Sequence, residues 1–414
     1  IAQDIIELRG LLFDQRSLQV IMTAIDATWW LDDHLTEWLG DRHAAGTLTL
    51  SVPNNVTSEM GLALLDVADA IRPHRAVVEY LERRSLHDDH LHDDRLHDVH
   101  LLDELGSLPG GSDARTAIER FLHEYGMRCI GEIDITRPRW AERPGALVPV
   151  ILGHVHNTEP GEAERRFEQG RREAAAKEDE ILAELRPLPD GTARAIETEQ
   201  MIARVRTFIG YREYPKYAWI CRYLEYKFAL LREAEQLLRA GVVDDVDDIY
   251  YLAFDELHDA VRDRKIDRAL IADRKASFEF HGTLSPPRVL TSDGEMLTGR
   301  YHRDDLPAGA LAGLAVSAGV VEGRARVIHD MAHADVEPGD ILVTAHTDPS
   351  WSPLFVAISG LITEVGGAMT HGAVVAREYG LPAVVGVDSA TQLIADGQRI
   401  RLDGTDGYVE FLST

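Results

Sequence analysis

One change of pattern along the 414-residue chain constrains its fold most strongly. Up to Tyr301, apolar residues recur at helical spacing over long stretches, with few strand signals. Beyond Tyr301 the apolar runs are short and lie between glycines, as in buried strands. Since the first pattern is typical of packed helices and the second of a sheet with helices, we predict a multidomain α plus α/β protein. It would have a large, mainly α-helical domain over 1–302, a linker over 303–315 and a small β/α domain over 316–414.

Caps and breakers set the helix boundaries in the first part. Asn55 is a predicted N-cap, and Pro73, Gly126 and Gly241 each follow a helix end. The predicted helices are Ser17–Leu39, 56–72, Ala114–Tyr125, Glu162–Leu185 and Tyr217–Ala240.

Short elements are predicted in the second part. The predicted strands are Gly323–Ile328, Ile341–Thr344, Gly360–Glu364, Ala383–Val387, Arg399–Leu402 and Gly407–Leu412, and the predicted helices are Pro353–Ser359 and Gly372–Tyr379. Within the predicted linker, Pro307, Gly309 and Gly313 suit a hinge. We therefore expect the small domain to take at least two orientations, with modest and polar contacts to residues 1–302.

Composition excludes several partners. A formal charge of −27 repels nucleic-acid phosphates and anionic membranes, so neither is an expected partner. No apolar run is long enough to predict a membrane helix. The two cysteines, Cys129 and Cys221, are too few for a disulfide framework, which is typical of a reducing compartment. We expect a cytoplasmic protein.

The segment GGAMTHGAVVAREYGLPAVVGV places His371 at the start of a predicted helix. Gly366 and Gly367 permit a tight turn after a strand, Thr370 is a predicted N-cap, and Gly380 ends the helix. Free N–H groups and the positive dipole end favour an attached phosphate there by about 0.3–1 kcal/mol. Neutral imidazole is nucleophilic, so His371 is a candidate phosphoryl carrier. The alternative is a surface histidine beside a turn.

The run THGAVVAREYGLPAV and its flanking segments over 316–414 resemble the mobile, swivelling phosphohistidine domain of phosphoenolpyruvate-utilising enzymes. That resemblance implies that His371 takes up a phosphoryl group and hands it on.

Segments of the first part resemble the antibiotic-binding domain of the rifampin phosphotransferase family; they include SVPNNVTSEMGLALLDVADAIRP, YGMRCIGEIDITRPRW, FIGYREYPKY and EAEQLLRAGVVDDVDDIYYLAFDEL. The resemblance implies that the β-phosphate of ATP passes, with Mg²⁺, through the phosphohistidine to an ansa-chain hydroxyl of a rifamycin, with release of AMP and phosphate. It also implies an ATP-grasp domain, in cis or in trans, which this chain lacks. We expect the rifamycin-binding domain to be incomplete at its N-terminus and the chain alone not to be competent.

Arg212 and Lys216 lie on either side of Pro215, which disfavours a regular helix between them. The resemblance places this pair at the acceptor site, where two cations would neutralise charge on the transferring group. The spacing alone also allows two ordinary surface cations.

A dense set of charges next to apolar residues predicts a partly buried ion-pair network; its members are Arg128, Glu132, Asp134, Arg137 and Arg139. Within it, Arg128 and Glu132 are candidate acceptor-site residues, and Glu132 is a candidate general base. The alternative is an architectural salt-bridge cluster.

A rifamycin pocket should be mostly apolar. Trp29, Trp30, Met60 and Met127 are candidate lining residues, although each also fits ordinary helix core. The segment Leu86–Leu105 repeats the letters LHDD and predicts a duplicated, solvated loop between helices. The alternative is zinc or nickel binding by its histidines and aspartates, but their spacing matches no fixed structural metal motif, so no metal ligand is assigned.

Two other functions remain open. One is another small-molecule dikinase or ligase with the same phosphohistidine carrier, as in prodiginine-type biosynthesis. The other is a non-catalytic ansamycin-binding protein, which His371 disfavours because a binding protein needs no carrier.

Overall fold

The computed structural model of the chain describes residues 15–41, 44–87, 95–284, 289–297, 303, 305–329 and 336–412. The helices of the first part are α1 Gln15–Leu39, α2 Ala44–Leu48, α3 Val56–Ile71, α4 Arg75–His87, α5 Arg95–Gly106, α6 Gly111–Tyr125, α7 Val148–Asn157, α8 Glu162–Leu185, α9 Gly191–Phe208, α10 Tyr214–Arg239, α11 Phe254–Asp263 and α12 Arg268–Gly282. Short 3₁₀ turns span Pro144–Leu147, Ile209–Glu213 and Val246–Tyr251. None of the described helices is long and apolar enough to cross a membrane.

The five predicted helices of this part are confirmed, with ends shifted by at most a few residues. The Asn55 cap is confirmed in detail, since its side-chain oxygen accepts from the backbone N–H groups of Thr57 and Ser58 at 3.0 and 3.2 Å. In the His-rich segment, residues 88–94 lie outside the described residues. The loop prediction is wrong beyond them, because α5 is already helical from Arg95.

The second part is built on an eight-stranded mixed sheet, which confirms the predicted β/α domain and adds two strands to the six predicted. Its strands are β3 Leu311–Ala312, β4 Leu314–Ser317, β5 Val320–Val327, β6 Asp340–Thr344, β7 Gly360–Thr363, β8 Ala383–Val385, β9 Arg399–Asp403 and β10 Tyr408–Phe411, and its helices are α13 Ser352–Phe355, α14 His371–Glu378 and α15 Ala390–Leu393. The order across the sheet is β3-β10-β9-β5-β6-β7-β8-β4. Strands β5 to β8 run parallel, and the outer pairings are antiparallel. The first two strands, β1 Val289–Leu290 and β2 Met296–Leu297, form a separate antiparallel hairpin.

Part of the predicted linker, 303–315, belongs to this sheet. Leu311–Ala312 pairs with β10, and Leu314–Ser317 pairs with β8. Gly313 is therefore not a free hinge, since a Cβ on it would lie 2.5 Å from the Val384 side chain. Gly309 keeps a left-handed backbone, with φ of 83° and open space around it, so a hinge can lie only before Leu311.

An extensive apolar contact joins the sheet to the helices. One buried cluster contains Met60 and Leu64 of α3 together with Trp351, Leu354 and Phe355 from the sheet side. The expectation of modest, polar contacts is therefore wrong for this arrangement. The close approach depends on Gly61 in α3, where an added Cβ would lie 2.5 Å from the Tyr379 hydroxyl.

Candidate functional site

His371 is the first residue of α14, which follows β7 through a glycine-containing turn. Thr370 occupies the N-cap position with extended backbone, as predicted, but its side chain does not cap the helix. Its hydroxyl instead donates to the Gly367 carbonyl at 2.8 Å. The first turn of α14 therefore keeps N–H groups that no side chain of the N-cap residue satisfies.

Both ring nitrogens of His371 have partners. Nδ1 lies 3.2 Å from Oε2 of Glu213, at the end of a 3₁₀ turn in the helical part. Nε2 lies 3.2 Å from Oγ of Ser352, at the start of α13 in the sheet part. The His371 side chain is only 12% exposed, so in this arrangement its ring is enclosed between the two parts.

Glu213 is ionised in this setting. Burial alone would raise the pKa of Glu213, but His371 and two nearby cations outweigh burial and hold that pKa well below its usual range. When the imidazole is neutral, an ionised carboxylate facing Nδ1 favours the tautomer that carries its proton there. Nε2 is then the nitrogen with a free lone pair, and the Ser352 hydroxyl can donate to it.

Arg212 links the two parts directly. Its Nη2 donates to Oε1 of Glu213 at 2.7 Å, and its Nη1 donates to the Met369 carbonyl at 3.2 Å. Met369 lies two residues before His371, so a cation of the helical part contacts the loop that leads into the carrier helix.

Lys216 is the second cation near Glu213. The 3₁₀ turn ends at Glu213 and α10 begins with Pro215 in its first turn, so the predicted break in regular helix between Arg212 and Lys216 is confirmed. The Lys216 ammonium lies 2.9 Å from Oε1 of Glu132, and its side chain remains 30% exposed.

The predicted ion-pair network is buried at its centre. Glu132 is fully buried, and Nη1 of Arg128 lies 3.2 and 3.3 Å from its two oxygens. Arg139, also fully buried, donates to the Glu132 carbonyl at 2.8 Å. Asp134 and Arg137, by contrast, form an exposed pair at 3.6 Å. The structure thus brings Arg128, Glu132 and Lys216 together beside the Arg212–Glu213–His371 group.

Replacement of Glu132 by alanine is expected to lower the free energy of unfolding by about 3–5 kcal/mol, because it leaves the buried Arg128 guanidinium without its partner. Urea unfolding followed by circular dichroism measures the change. Glu79→Ala is the matched control, since Glu79 is 51% exposed and pairs with Arg75 on the surface; its effect should stay within about 0.5 kcal/mol. Equal shifts for both variants would show that the Glu132 network does not stabilise the fold.

The candidate pocket residues are spread over different places. Trp29 is 53% exposed on α1, and Trp30 packs on His34 with ring centroids 4.2 Å apart in a second apolar cluster. Met60 is fully buried in the cluster shared by the two parts, and Met127 is half-buried next to Arg128. Their role as pocket lining stays a prediction.

Glu213 and Ser352 are the two contacts of His371 that sequence reasoning missed. The available signal for Glu213 was its place between Arg212 and Pro215, among residues already of interest. Ser352, in the run DPSWSPLF, carried no signal in a single sequence.

Two family models match the chain. The model described as the rifampicin phosphotransferase fourth domain matches residues 16–213, and the PEP-utilising enzyme mobile domain matches residues 336–407. The first match includes Arg212 and Glu213, and the second includes His371.

Curated relatives agree with these matches. A rifampicin phosphotransferase of Streptomyces sviceus is 64% identical over 407 residues, 98% of this chain and 46% of that protein. Another, of Bacillus subtilis, is 57% identical over 99% of this chain and 46% of its own length. A prodigiosin synthesizing transferase of Serratia marcescens is 28% identical over 87% of this chain and 39% of its own length. The chain spans about half the length of the curated relatives it matches.

Proposed function

Because the chain belongs to the rifampicin phosphotransferase family, we propose that His371 carries a phosphoryl group to a hydroxyl of a rifamycin-type antibiotic. The observation that carries this proposal is the contact between the parts: the imidazole of the sheet part contacts Glu213 of the helical part, and Arg212 and Lys216 lie near that carboxylate. Phosphoryl transfer requires cations near the carrier histidine, because they neutralise charge on the group in transit.

The transfer has two stages. In the first, the β-phosphoryl group of ATP, which a domain other than the two described here would bind together with Mg²⁺, passes to Nε2 of His371, and AMP and phosphate are released with the uptake of one water. In the second, the bond between Nε2 and phosphorus breaks while the antibiotic hydroxyl oxygen bonds to phosphorus. The imidazole keeps the electron pair, and the hydroxyl proton leaves to solvent or to a carboxylate nearby.

The surrounding residues have separate roles in the second stage. Glu213 keeps the proton on Nδ1, so that Nε2 is the nitrogen that bears the phosphoryl group. Arg212 and Lys216 neutralise charge on the group in transit. Glu132, with Arg128, holds Lys216 in place; because two cations engage its carboxylate, this orienting role suits Glu132 better than that of a general base.

The test uses the 414-residue chain itself. Phosphoramidate, a small donor that phosphorylates histidines, would place a phosphoryl group on His371, a step called charging below. Rifampicin would then be added to the desalted protein. We expect phosphorylated rifampicin by mass spectrometry, together with faster loss of the acid-labile phosphate from the protein. Phosphohistidine that decays equally fast with and without rifampicin, with no phosphorylated antibiotic, would contradict the proposal.

A second acceptor class is included in the same experiment. The similarity to a prodigiosin synthesizing transferase, though lower at 28% identity, keeps another small-molecule acceptor in consideration. The protein phosphorylated on His371 is mixed with a prodiginine precursor in place of rifampicin. This comparison separates the two acceptor classes, since we expect transfer to rifampicin alone.

A further inference from the structure

The helix that carries His371, α14, is held by the helical part at both ends. At its start, His371 contacts Glu213. At its end, the Glu378 carboxylate accepts hydrogen bonds from the Asn55 amide and from the Ser58 hydroxyl. The neighbouring Tyr379 hydroxyl donates to the Ser58 carbonyl at 3.0 Å. Asn55 and Ser58 belong to the cap and first turn of α3.

This second contact is fully enclosed. Glu378 is 5% exposed and Asn55 is 1% exposed. Asn55 uses its side-chain oxygen to cap α3 and its amide group to hold Glu378, so a single residue orders the helix start and binds the other domain. The N-terminal end of α3 also carries a positive partial charge, which favours a carboxylate there.

The buried Glu378 carboxylate favours one docked position of α14 over slightly displaced ones. Every side-chain hydrogen bond recorded for Glu378 comes from the helical part. Burial outweighs the opposing hydrogen bonds from Ser58 and Asn55, and the net effect raises the pKa of Glu378 to about 7. If α14 slid by one or two ångströms, the carboxylate would lose these partners without regaining water, and that loss is unfavourable. Full departure of the domain would solvate it again.

We propose that Glu378 is a positioning residue, a latch that fixes α14 on α3 in the one orientation in which His371 contacts Glu213 and the Met369 carbonyl contacts Arg212. The role of this latch in phosphoryl transfer rests on the proposed function. Its role in holding the sheet domain against the helical domain does not. The latch acts between the docked position and a fully separated one, because intermediate positions leave the carboxylate buried and unpaired. The apolar cluster around Trp351 and Phe355 supplies attraction without this selectivity, since apolar contact is not directional.

The rate at which phosphoramidate phosphorylates His371 in the 414-residue chain, followed by mass spectrometry of the peptide that contains His371, measures docking, because the docked His371 ring is only 12% exposed. We expect Glu378→Ala to charge about 10- to 100-fold faster than the unaltered protein, the size expected for a lost hydrogen-bonded charge. Ser58→Ala should also charge faster, although Ser58 lies outside the sheet domain. The double variant should charge no faster than Glu378→Ala, because each substitution removes the same contact.

Glu364→Ala is the matched control. Glu364 is a carboxylate of the same domain, but it accepts from Thr391 within that domain at 2.8 Å, so its loss should leave the charging rate unchanged. Near-ultraviolet circular dichroism checks that each variant is folded. Unchanged charging in Glu378→Ala, or equal acceleration in Glu364→Ala, overturns the latch. Absence of transfer to rifampicin in the unaltered protein would instead refute the proposed function and leave the docking result standing.

Discussion

Alanine in place of His371 is expected to abolish phosphoryl transfer to rifampicin, lowering its rate by roughly 10⁴-fold or more, as for loss of a covalent nucleophile. The reason is that no other group in the site can bear the phosphoryl group in transit. Glu213 is held in an ion pair with Arg212, and the side-chain hydrogen bond of the Ser352 hydroxyl, among the described residues, is to the imidazole itself. The measurement is the yield of phosphorylated rifampicin after phosphoramidate charging, together with the acid-labile phosphate on the protein.

His281→Ala is the control for this experiment, because His281 is an exposed histidine in α12 of the helical part. Phosphoramidate will label exposed histidines in both variants, so total label alone decides nothing. The comparison is between label that rifampicin removes and label that it does not. If the His371→Ala protein still passes label to rifampicin at an undiminished rate, another residue is the carrier.

The regular elements could be predicted where local signals were strong. Glu162–Leu185 matches α8 at both ends, and β7 and β9 lie where the apolar runs placed them. Strands β3 and β4 were missed because they are the two edges of the sheet. Each is short, and its partner strand lies far away in sequence, so the hydrogen bonds that define it have no local signature.

The sequence allowed the charged residues of the site to be predicted, but not the contacts that these residues make across the domain boundary. His371, Arg212 and Lys216 could be selected from motifs, but a motif does not state which carboxylate faces an imidazole across a domain boundary. That depends on the apolar fit of Trp351 and Leu354 against α3, which periodicity cannot assign to one partner or another. The expected polar interface failed for the same reason: buried residues of a small domain look alike whether they cover its own sheet or a neighbouring domain.

Arg212→Ala and Lys216→Ala are each expected to lower the rate of transfer from charged His371 by about 10²–10³-fold, the usual effect of removing one donor that stabilises transition-state charge. Charging by phosphoramidate should not slow, since neither side chain blocks a small donor. Single-turnover transfer to rifampicin, started from charged protein, measures the step directly. Arg239→Ala is the control, because Arg239 is a 74% exposed cation on the same helix as Lys216 and pairs only with Glu235 in the structure's described part.

The two cations should respond differently to a conservative change. Arg212 makes two directed bonds, one to Glu213 and one to the Met369 carbonyl, so lysine cannot replace its planar guanidinium and Arg212→Lys should stay impaired. Lys216 makes one point contact with Glu132, which arginine can also make, so Lys216→Arg should recover part of the lost rate. A double alanine variant with normal single-turnover transfer would remove both residues from the site. Equal rescue at both positions would show that only net charge matters, and that the bond from Arg212 to the carrier loop does not contribute to transfer.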